Sequence, residues 1–191
     1  GWARNSVAPG TLYSYQHKLD QATTFSVNGK AISAVADATG YVTLERTWQH
    51  GDRIEIEFPF AVRQVVTDAR VRENRGRVAI ERGPLVYCAE WPEAPDGRAL
   101  DLLLDAASEL KPLFDESLFG GATVIAAQAR RLSNPTLPPQ TIKLIPYYLW
   151  ANRGVGEMCV WLPVREASSV ARRKPLRRSS MAVARAAAES G

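Results

Sequence analysis

The sequence is short of the residue types that carry covalent and metal chemistry. Its 191 residues include two cysteines, Cys88 and Cys159, and two histidines, His17 and His50. These four show no Cys-x-x-Cys or His-x-x-x-His spacing, so a metal site would need all of them to converge through folding. A nucleophilic Cys88 would need a nearby base, and both histidines fall in predicted loops or turns. We therefore predict no catalytic, cofactor-binding or metal-binding residue in this chain.

Long apolar runs and nucleotide-binding motifs are also missing. No apolar run approaches the roughly 20 residues that span a bilayer, which predicts no membrane partner. No phosphate loop, nucleophile elbow or dinucleotide fingerprint occurs, and the glycine pair Gly120-Gly121 is typical of a turn. The chain opens on Gly1-Trp2-Ala3, so we expect that further residues precede it. The sequence leaves both a cytoplasmic and an exported location open.

The net charge of +4 is concentrated at the C-terminal end of the chain. The segment Ser168 to Gly191 holds six Lys/Arg and one Asp/Glu, whereas the remainder holds eighteen and nineteen. The near-neutral body argues against a nucleic-acid partner. Because residues 167–191 combine clustered arginines with little apolar surface, we expect a disordered or weakly helical tail. A solvated tail is favoured, and an arm that contacts nucleic acid or another anionic surface is the alternative.

Alternation of apolar and polar residues dominates the body. DRIEIEFPFAV is the clearest case, and its apolar positions are Ile54, Ile56, Phe58, Phe60 and Val62. YVTLERTW, ATVIAAQARRL, TIKLIPYYLW and GEMCVWLPV supply further strands. Asn28-Gly29 predicts a type I′ hairpin, and Gly51-Asp52 a similar turn. Residues 100–119 fit either a short helix or a strand and a turn. The fold class is therefore predicted to be all-β, with packed antiparallel β-sandwiches.

The stretch RGPLVYCAEW decides how Cys88 is interpreted. Gly83-Pro84 predicts a bulge or bend that joins RVAIE to LVYCAEW, because proline cannot donate to a strand ladder. Beyond it, Val86 and Cys88 share one face of a strand that is apolar on both faces near its centre. A cysteine placed there behaves as a small hydrophobe with a raised pKa. A disulfide to Cys159 would require neighbouring strands, and two buried thiols are the favoured interpretation.

Glu55 and Glu57 are the one pair of carboxylates that we consider as a candidate catalytic pair. They project from one strand face roughly 6.5 to 7 Å apart, which overlaps the separation found in inverting glycosidases. Any amphipathic strand with Glu-x-Glu gives this spacing. We interpret the pair as a solvated outer face balanced by Arg53.

The strand sequences themselves resemble a known family. The segments GWA, FSVNGKAI, GYVTLERTWQHGDRIEIEFPF, RGRVAIERGPLVYCAEW and IKLIPYYLWANRGVGEMCVWLPV follow in order from Gly1 to about Pro163. Together they resemble the C-terminal part of glycoside hydrolase family 127, the beta-L-arabinofuranosidases and their relatives. The resemblance implies an N-terminal (α/α)6 barrel with a zinc-bound cysteine nucleophile and a glutamate acid/base, followed by β-sandwich domains. No segment here resembles that barrel, and Cys88 matches a sandwich strand.

The resemblance divides the chain into three regions. Residues 1–68 are the remnant of a first β-sandwich, incomplete because Gly1-Trp2 matches a point inside it. Residues 69–166 form a second sandwich, which looks whole, and residues 167–191 are the basic tail. The resemblance implies a non-catalytic portion of a glycoside hydrolase, inactive alone, whose partner is the missing barrel of the same polypeptide. Zinc is expected in the barrel and not in this chain, and a homo-oligomer is compatible with this hypothesis.

A stand-alone carbohydrate-binding module is the alternative function. In such a module exposed aromatic rings would stack on sugars. The candidate rings are Trp48, Trp91, Trp150, Trp161, Tyr147 and Tyr148. Core packing is the usual role of strand aromatics, so the exposure of these rings separates the two hypotheses.

Overall fold

The computed structural model describes residue 7 and residues 11–165 of the chain. The predictions for the basic tail lie outside the described residues. The strands are β1 (Tyr13–Tyr15), β2 (Thr24–Val27), β3 (Lys30–Ile32), β4 (Ile54–Glu57), β5 (Val62–Thr67), β6 (Arg77–Arg82), β7 (Leu85–Glu90), β8 (Leu102–Asp105), β9 (Lys111–Asp115), β10 (Ala122–Arg131), β11 (Gln140–Pro146), β12 (Met158–Cys159) and β13 (Leu162–Arg165). Short 3₁₀ turns lie at Arg72–Asn74, Trp91–Glu93, Pro95–Gly97, Ala99–Asp101 and Tyr147–Leu149.

The all-β fold class is confirmed. The described residues contain no helix long and apolar enough to cross a membrane. Residues 100–119, which fitted either a helix or a strand, form a 3₁₀ turn and then the strands β8 and β9. All pairings but one are antiparallel, and the exception joins β13 to β8.

Strands β2, β3 and β4 form a small sheet in the order β3-β2-β4. The predicted hairpin between β2 and β3 is confirmed, because Asn28 and Gly29 both have positive φ (51° and 74°), as a type I′ turn requires. The Asn28 side chain binds the turn before β4, donating to Asp52 at 2.7 Å and accepting from the Arg53 N–H at 2.8 Å. One asparagine thus joins the predicted turns at Asn28-Gly29 and Gly51-Asp52.

The strand predicted at YVTLERTW is wrong. Residues 41–48 carry no strand assignment in the structure. Apolar alternation favours an extended chain, but a strand also needs a neighbour whose N–H and C=O groups complete its ladder. Among the described residues the small sheet consists of β3, β2 and β4, and none of these strands pairs with residues 41–48.

The remaining strands form one ten-stranded sheet. Its pairings run β6–β7–β11–β10–β8–β13 and return to β6, so the two layers expected of a sandwich are joined into a closed circuit. β5 and β1 extend this circuit from the other edge of β6. The side chains inside the circuit form the main core, which includes Ile80, Tyr87, Leu104, Ile125 and Leu144.

The turn between β6 and β7 corrects the prediction of a bulge or bend at Gly83-Pro84. Arg82 pairs with Leu85, so the chain reverses fully in a two-residue hairpin. Gly83 has a φ of +58°, which suits the first position of a type II′ turn, and Pro84 needs no ladder N–H at the second. The ring of Phe60 lies so close to Gly83 that a Cβ there would approach it to 2.6 Å.

The open end of this hairpin is filled by the last two strands. β6 and β7 pair directly only near the turn, from Ile80–Tyr87 to Arg82–Leu85. Farther from the turn, β12 pairs with Glu90 and Ala89 of β7, while β13 pairs with Val78 and Arg77 of β6. The segment 158–163 is therefore inserted between two strands that are neighbours in sequence.

Candidate functional site: an aromatic turn on a buried acidic anchor

Cys88 is a buried core residue, as predicted. It is 0% exposed and packs with Leu118, Val124 and Ile145 in a second core cluster outside the circuit. Burial, with a smaller contribution from Glu90, raises the pKa of the Cys88 thiol to about 12. The sulfur is therefore protonated at neutral pH, which suppresses nucleophilic chemistry.

Cys159 is also a free, buried thiol, although its strand lies directly beside that of Cys88. Cys159 pairs with Ala89, and both belong to the main core, whereas Cys88 belongs to the second cluster. Neighbouring residues of a strand point to opposite faces. The two sulfurs therefore lie on opposite sides of the sheet, which explains why adjacent strands carry no disulfide.

The remaining polar candidates are not brought together. His17 and His50 are exposed, and the described part of the chain holds no group of three or more His, Cys, Asp or Glu that could hold a metal ion. Glu55 and Glu57 lie on the outer face of β4, where they accept hydrogen bonds from Ser26 Oγ at 3.0 Å and Thr24 Oγ1 at 3.4 Å. They therefore belong to cross-strand pairs on an exposed surface.

Three of the six candidate aromatics lie exposed in one short turn. Tyr147, Tyr148 and Trp150 are 45%, 61% and 40% exposed, and they follow the end of β11. The rings of Tyr147 and Trp150 stack with centroids 6.0 Å apart at 24°. We call these three residues the aromatic turn. It is the largest group of exposed rings that neighbour one another in the described sequence.

The other three candidate rings have protein partners. Trp48 lies under the Arg46 guanidinium, 5.0 Å from its carbon. Trp161 stacks on Tyr13 at 5.9 Å. Trp91 packs against Gly156, where a Cβ would lie 2.0 Å from the indole. The contacts of Trp91 and Trp161 are typical of packing, whereas Trp48 stays 45% exposed beside Arg46.

A buried carboxylate fixes the loop that follows the aromatic turn. Glu90, at the end of β7, is 0% exposed. One of its oxygens accepts from the Ala151 N–H at 2.9 Å, and the other accepts from Arg153 at 2.6 and 3.0 Å. Arg153 also donates to Glu93 at 2.6 Å. We call Glu90, Glu93 and Arg153 the acidic anchor.

The acidic anchor was not predicted from the sequence. Burial lowers the pKa of Arg153, but the hydrogen bonds that it donates to Glu93 and Glu90 outweigh this effect and raise the pKa above its ordinary value. The guanidinium therefore stays charged and compensates the buried Glu90. Ala151 has a φ of +67°, a conformation that costs an ordinary residue about 1 kcal/mol or more. The only sequence signal was a glutamate at the end of an otherwise apolar strand.

Comparison with known proteins identifies the family. The model described as "Glycoside hydrolase family 127 C-terminal domain" matches residues 62–163, and "Beta-L-arabinofuranosidase, GH127 middle domain" matches residues 11–60. The domain boundary that we place at residue 68 stays a prediction. A curated relative, the non-reducing end beta-L-arabinofuranosidase of Bifidobacterium longum subsp. longum, is 34% identical over 157 residues, covering 72% of this chain and 23% of that protein.

Solved structures agree with this assignment. A GH127 beta-arabinofuranosidase shares 40% identity at a TM-score of 0.75, over 86% of this chain and 26% of that one. A GH127 beta-L-arabinofuranosidase from Geobacillus stearothermophilus T6 shares 33% identity at a TM-score of 0.64, over 76% and 25%. The chain spans about a quarter of the length of these relatives. It belongs to glycoside hydrolase family 127 and corresponds to the family's middle and C-terminal domains.

Proposed function

We propose that this chain is the non-catalytic C-terminal portion of a beta-L-arabinofuranosidase and that it supports a catalytic (α/α)6 barrel from the same polypeptide. The barrel is implied by the resemblance to the family, and the sugar substrate is supported by the activities for which the relatives are named. The chain's own role is to complete the enzyme's structure, and it releases no sugar when alone.

The apolar face of the small sheet carries this proposal. Ile54, Ile56, Phe58 and Phe60 are all between 42% and 49% exposed, although they alternate as a core strand does. In an isolated domain such a strip on an edge strand invites aggregation. Further strands from preceding polypeptide would cover it, which fits relatives of which this chain matches only about a quarter.

Zinc belongs to the proposed barrel and not to this chain. The two thiols lie on opposite sides of the sheet, and the described residues bring no third ligand to either of them. A zinc site needs about four converging ligands. The residues of this chain therefore take no part in the proposed chemistry.

The proposal is tested with a chimera. The C-terminal portion of the Bifidobacterium longum relative is replaced by this chain, and hydrolysis of an aryl L-arabinofuranoside is measured. We expect activity from the chimera and none from the isolated chain, with or without added zinc. Turnover by the isolated chain that is lost in Cys88→Ala would contradict the proposal.

A matched pair of lysine variants tests the open face. Ile56→Lys places a charge on the apolar face, whereas Ala31→Lys places it on the opposite face beside Ser26 and Glu55. In the isolated chain, Ile56→Lys should reduce aggregation because it breaks the exposed apolar strip. In the chimera it should lower stability and activity, while Ala31→Lys leaves both unchanged. Equal effects of the two variants in the chimera would argue that nothing covers this face.

A carbohydrate-binding module is the second candidate function, and the exposed aromatic turn favours it. Rings that stack on sugars are open on at least one face, and Tyr148 is 61% exposed. This candidate predicts that the isolated chain is retarded in a gel that contains arabinan. Mobility that is unaffected by the polysaccharide would exclude it.

A further inference from the structure

The strand β1 lies on the C-terminal domain, although its sequence falls within the match to the middle domain. The middle-domain model covers residues 11–60, and the C-terminal model covers residues 62–163. β1 nevertheless pairs antiparallel with residues 65–67 of β5. Among the described residues it pairs with no strand of the small sheet. β1 is therefore the edge strand of the larger sheet.

The backbone ladder extends beyond both ends of β1. The Gln16 N–H donates to the Gln64 carbonyl at 2.9 Å, and the Asp68 N–H donates to the Leu12 carbonyl at 2.8 Å. Hydrogen-bonded pairs alternate along an antiparallel ladder, so the N–H of Ser14, midway between Leu12 and Gln16, also faces β5. Residues 12–16 thus add a strand to the edge of β5, and main-chain hydrogen bonds hold it there.

Both tyrosines of β1 are held by side chains of the C-terminal domain. Tyr13 stacks on Trp161 with ring centroids 5.9 Å apart at 26°. Tyr15 donates to Glu81 at 2.8 Å, and the guanidinium carbon of Arg63 lies 3.5 Å from the centroid of the Tyr15 ring. Arg63 is only 5% exposed, so this cation–π contact is shielded from water. Contacts to alternate side chains make the addition of a strand specific.

The small sheet is inserted between β1 and β5. The chain leaves the larger sheet after Gln16 and returns to it at Val62, the first residue of β5. Because Gln16 is bonded to Gln64, the points of exit and return lie close together on one edge. The strands β2, β3 and β4 can therefore open without breaking the pairing of β1 with β5.

We infer that β1 is a docking strand whose acceptor site lies in the C-terminal domain, and that the small sheet is an insertion between the two. The acceptor site consists of the β5 edge together with Arg63, Glu81 and Trp161. The polypeptide that leads into residue 11 is thereby attached to the C-terminal domain before the small sheet begins. Donor and acceptor both lie in this chain, so the docking stands whether or not the proposed function does.

The first test opens the small sheet in the full chain. Val27 is 3% exposed and is the buried residue of β2, so Val27→Lys should disrupt the small sheet. Hydrogen exchange of β2, β3 and β4 should become about tenfold faster or more, while that of β1, β5 and β6 stays within about twofold of the unchanged chain. Gly29→Ala perturbs the same hairpin more mildly and should give the same pattern. Faster exchange of β1 together with β2 in Gly29→Ala would overturn the insertion.

A matched pair of variants at Ser14 tests the docking. Ser14 is exposed, so its side chain is dispensable. Ser14→Pro removes a ladder N–H from β1, whereas Ser14→Ala keeps it. In Ser14→Pro, exchange of the β5 amides that face β1 should become about tenfold faster or more, and Ser14→Ala should match the unchanged chain. Exchange of β2, β3 and β4 should be unchanged in both variants.

Tyr13→Ala is a second variant of the docking strand. It removes the ring that stacks on Trp161 and keeps every ladder N–H, so it should speed exchange of the same β5 amides to a smaller extent. Unchanged exchange of β5 in both Ser14→Pro and Tyr13→Ala would overturn the docking. Exchange of the small sheet that rises as much as that of β5 in Ser14→Pro would overturn the insertion.

Discussion

The two regions of this chain differ sharply in how well they bury their apolar residues. Residues 11–60, here the first region, contain only Val27 and Pro59 as buried residues among those described. Residues 62–163, the second region, hold both core clusters and a closed circuit of strands. Both have the alternation typical of β-strands. The difference shows that alternation identifies a strand face that favours burial. It does not show whether the chain itself buries that face.

The largest expected effect is a difference in hydrogen exchange between the regions. Amides of Arg77 to Glu90 and Ile142 to Leu162 should be protected more strongly, above all within their strands, than those of Phe25 to Phe58, which should exchange through local opening. We expect the free energies of opening to differ by about 5 kcal/mol, because domains of this kind are stable by roughly 5 to 15 kcal/mol. Exchange followed by mass spectrometry measures this. Equal protection would mean that the first region is complete by itself.

The next effect concerns the acidic anchor of the second region. Arg153→Leu leaves Glu90 buried without its cation and should lower the free energy of unfolding by about 3 kcal/mol. Arg98→Leu is the control, because Arg98 is 61% exposed in its ion pair with Glu157 and such pairs contribute about 0 to 1 kcal/mol. Urea denaturation compares them. Similar losses in both variants would mean that the buried ion pair of Arg153 contributes no more to the free energy of unfolding than the exposed pair of Arg98.

A smaller effect is expected from Cys88 in the second core cluster. Cys88→Ser buries a hydroxyl among apolar side chains and should cost about 1 to 3 kcal/mol, and Cys88→Ala should cost less. A thiol reagent should label Cys88 only on unfolding, measured with Cys159 replaced. Rapid labelling of the native protein at neutral pH would contradict the core assignment.

The raised pKa of Cys88 adds a pH dependence. An exposed thiol has a pKa of about 8.5, and the folded protein raises that of Cys88 to about 12. Folding therefore favours the protonated thiol. Its contribution to stability is complete below about pH 8.5 and is lost as the pH rises towards 12. Between these values the unchanged chain should lose stability faster with pH than Cys88→Ala does.

The smallest effect compares one glycine from each region. Gly29 and Gly76 have φ values of +74° and +66°, and a Cβ on either would meet nothing within 4 Å. Alanine should therefore cost about 1 kcal/mol of backbone strain at both positions. Gly76→Ala should lower the midpoint of global unfolding, whereas Gly29→Ala should only speed local exchange around β2 and β3. A global shift from Gly29→Ala would show that the regions unfold together.

The local features of the fold could be predicted from the sequence. The hairpin at Asn28-Gly29 and the burial of Cys88 depend on turn chemistry and alternation within a few residues, and both are confirmed. The family and the all-β class were also predictable, because the strand sequences are long and distinctive.

The failures involve partners that are distant in the sequence. YVTLERTW has the pattern of a strand but no neighbour among the described residues to pair with. The acidic anchor joins Glu90 to Arg153, 63 positions later, and no periodicity links such residues. The hairpin at Gly83-Pro84 was interpreted as a bulge from the chemistry of glycine and proline, and no local pattern shows that its strands separate to admit β12 and β13. Long-range pairing decides these features, and a single sequence does not encode it in a local pattern.

The insertion of 158–163 into the β6–β7 hairpin has a consequence during synthesis on the ribosome. The hairpin leaves the exit tunnel early, but its open end stays unpaired until β13, roughly 70 residues later, has been made. Translation adds about 5 to 20 residues per second, so the unpaired backbone N–H and C=O groups of β6 and β7 lack their partners for on the order of 4 to 14 s. Nascent chains that stall before Leu162 should therefore expose a strand gap that chaperones bind, and chains released after Arg165 should not.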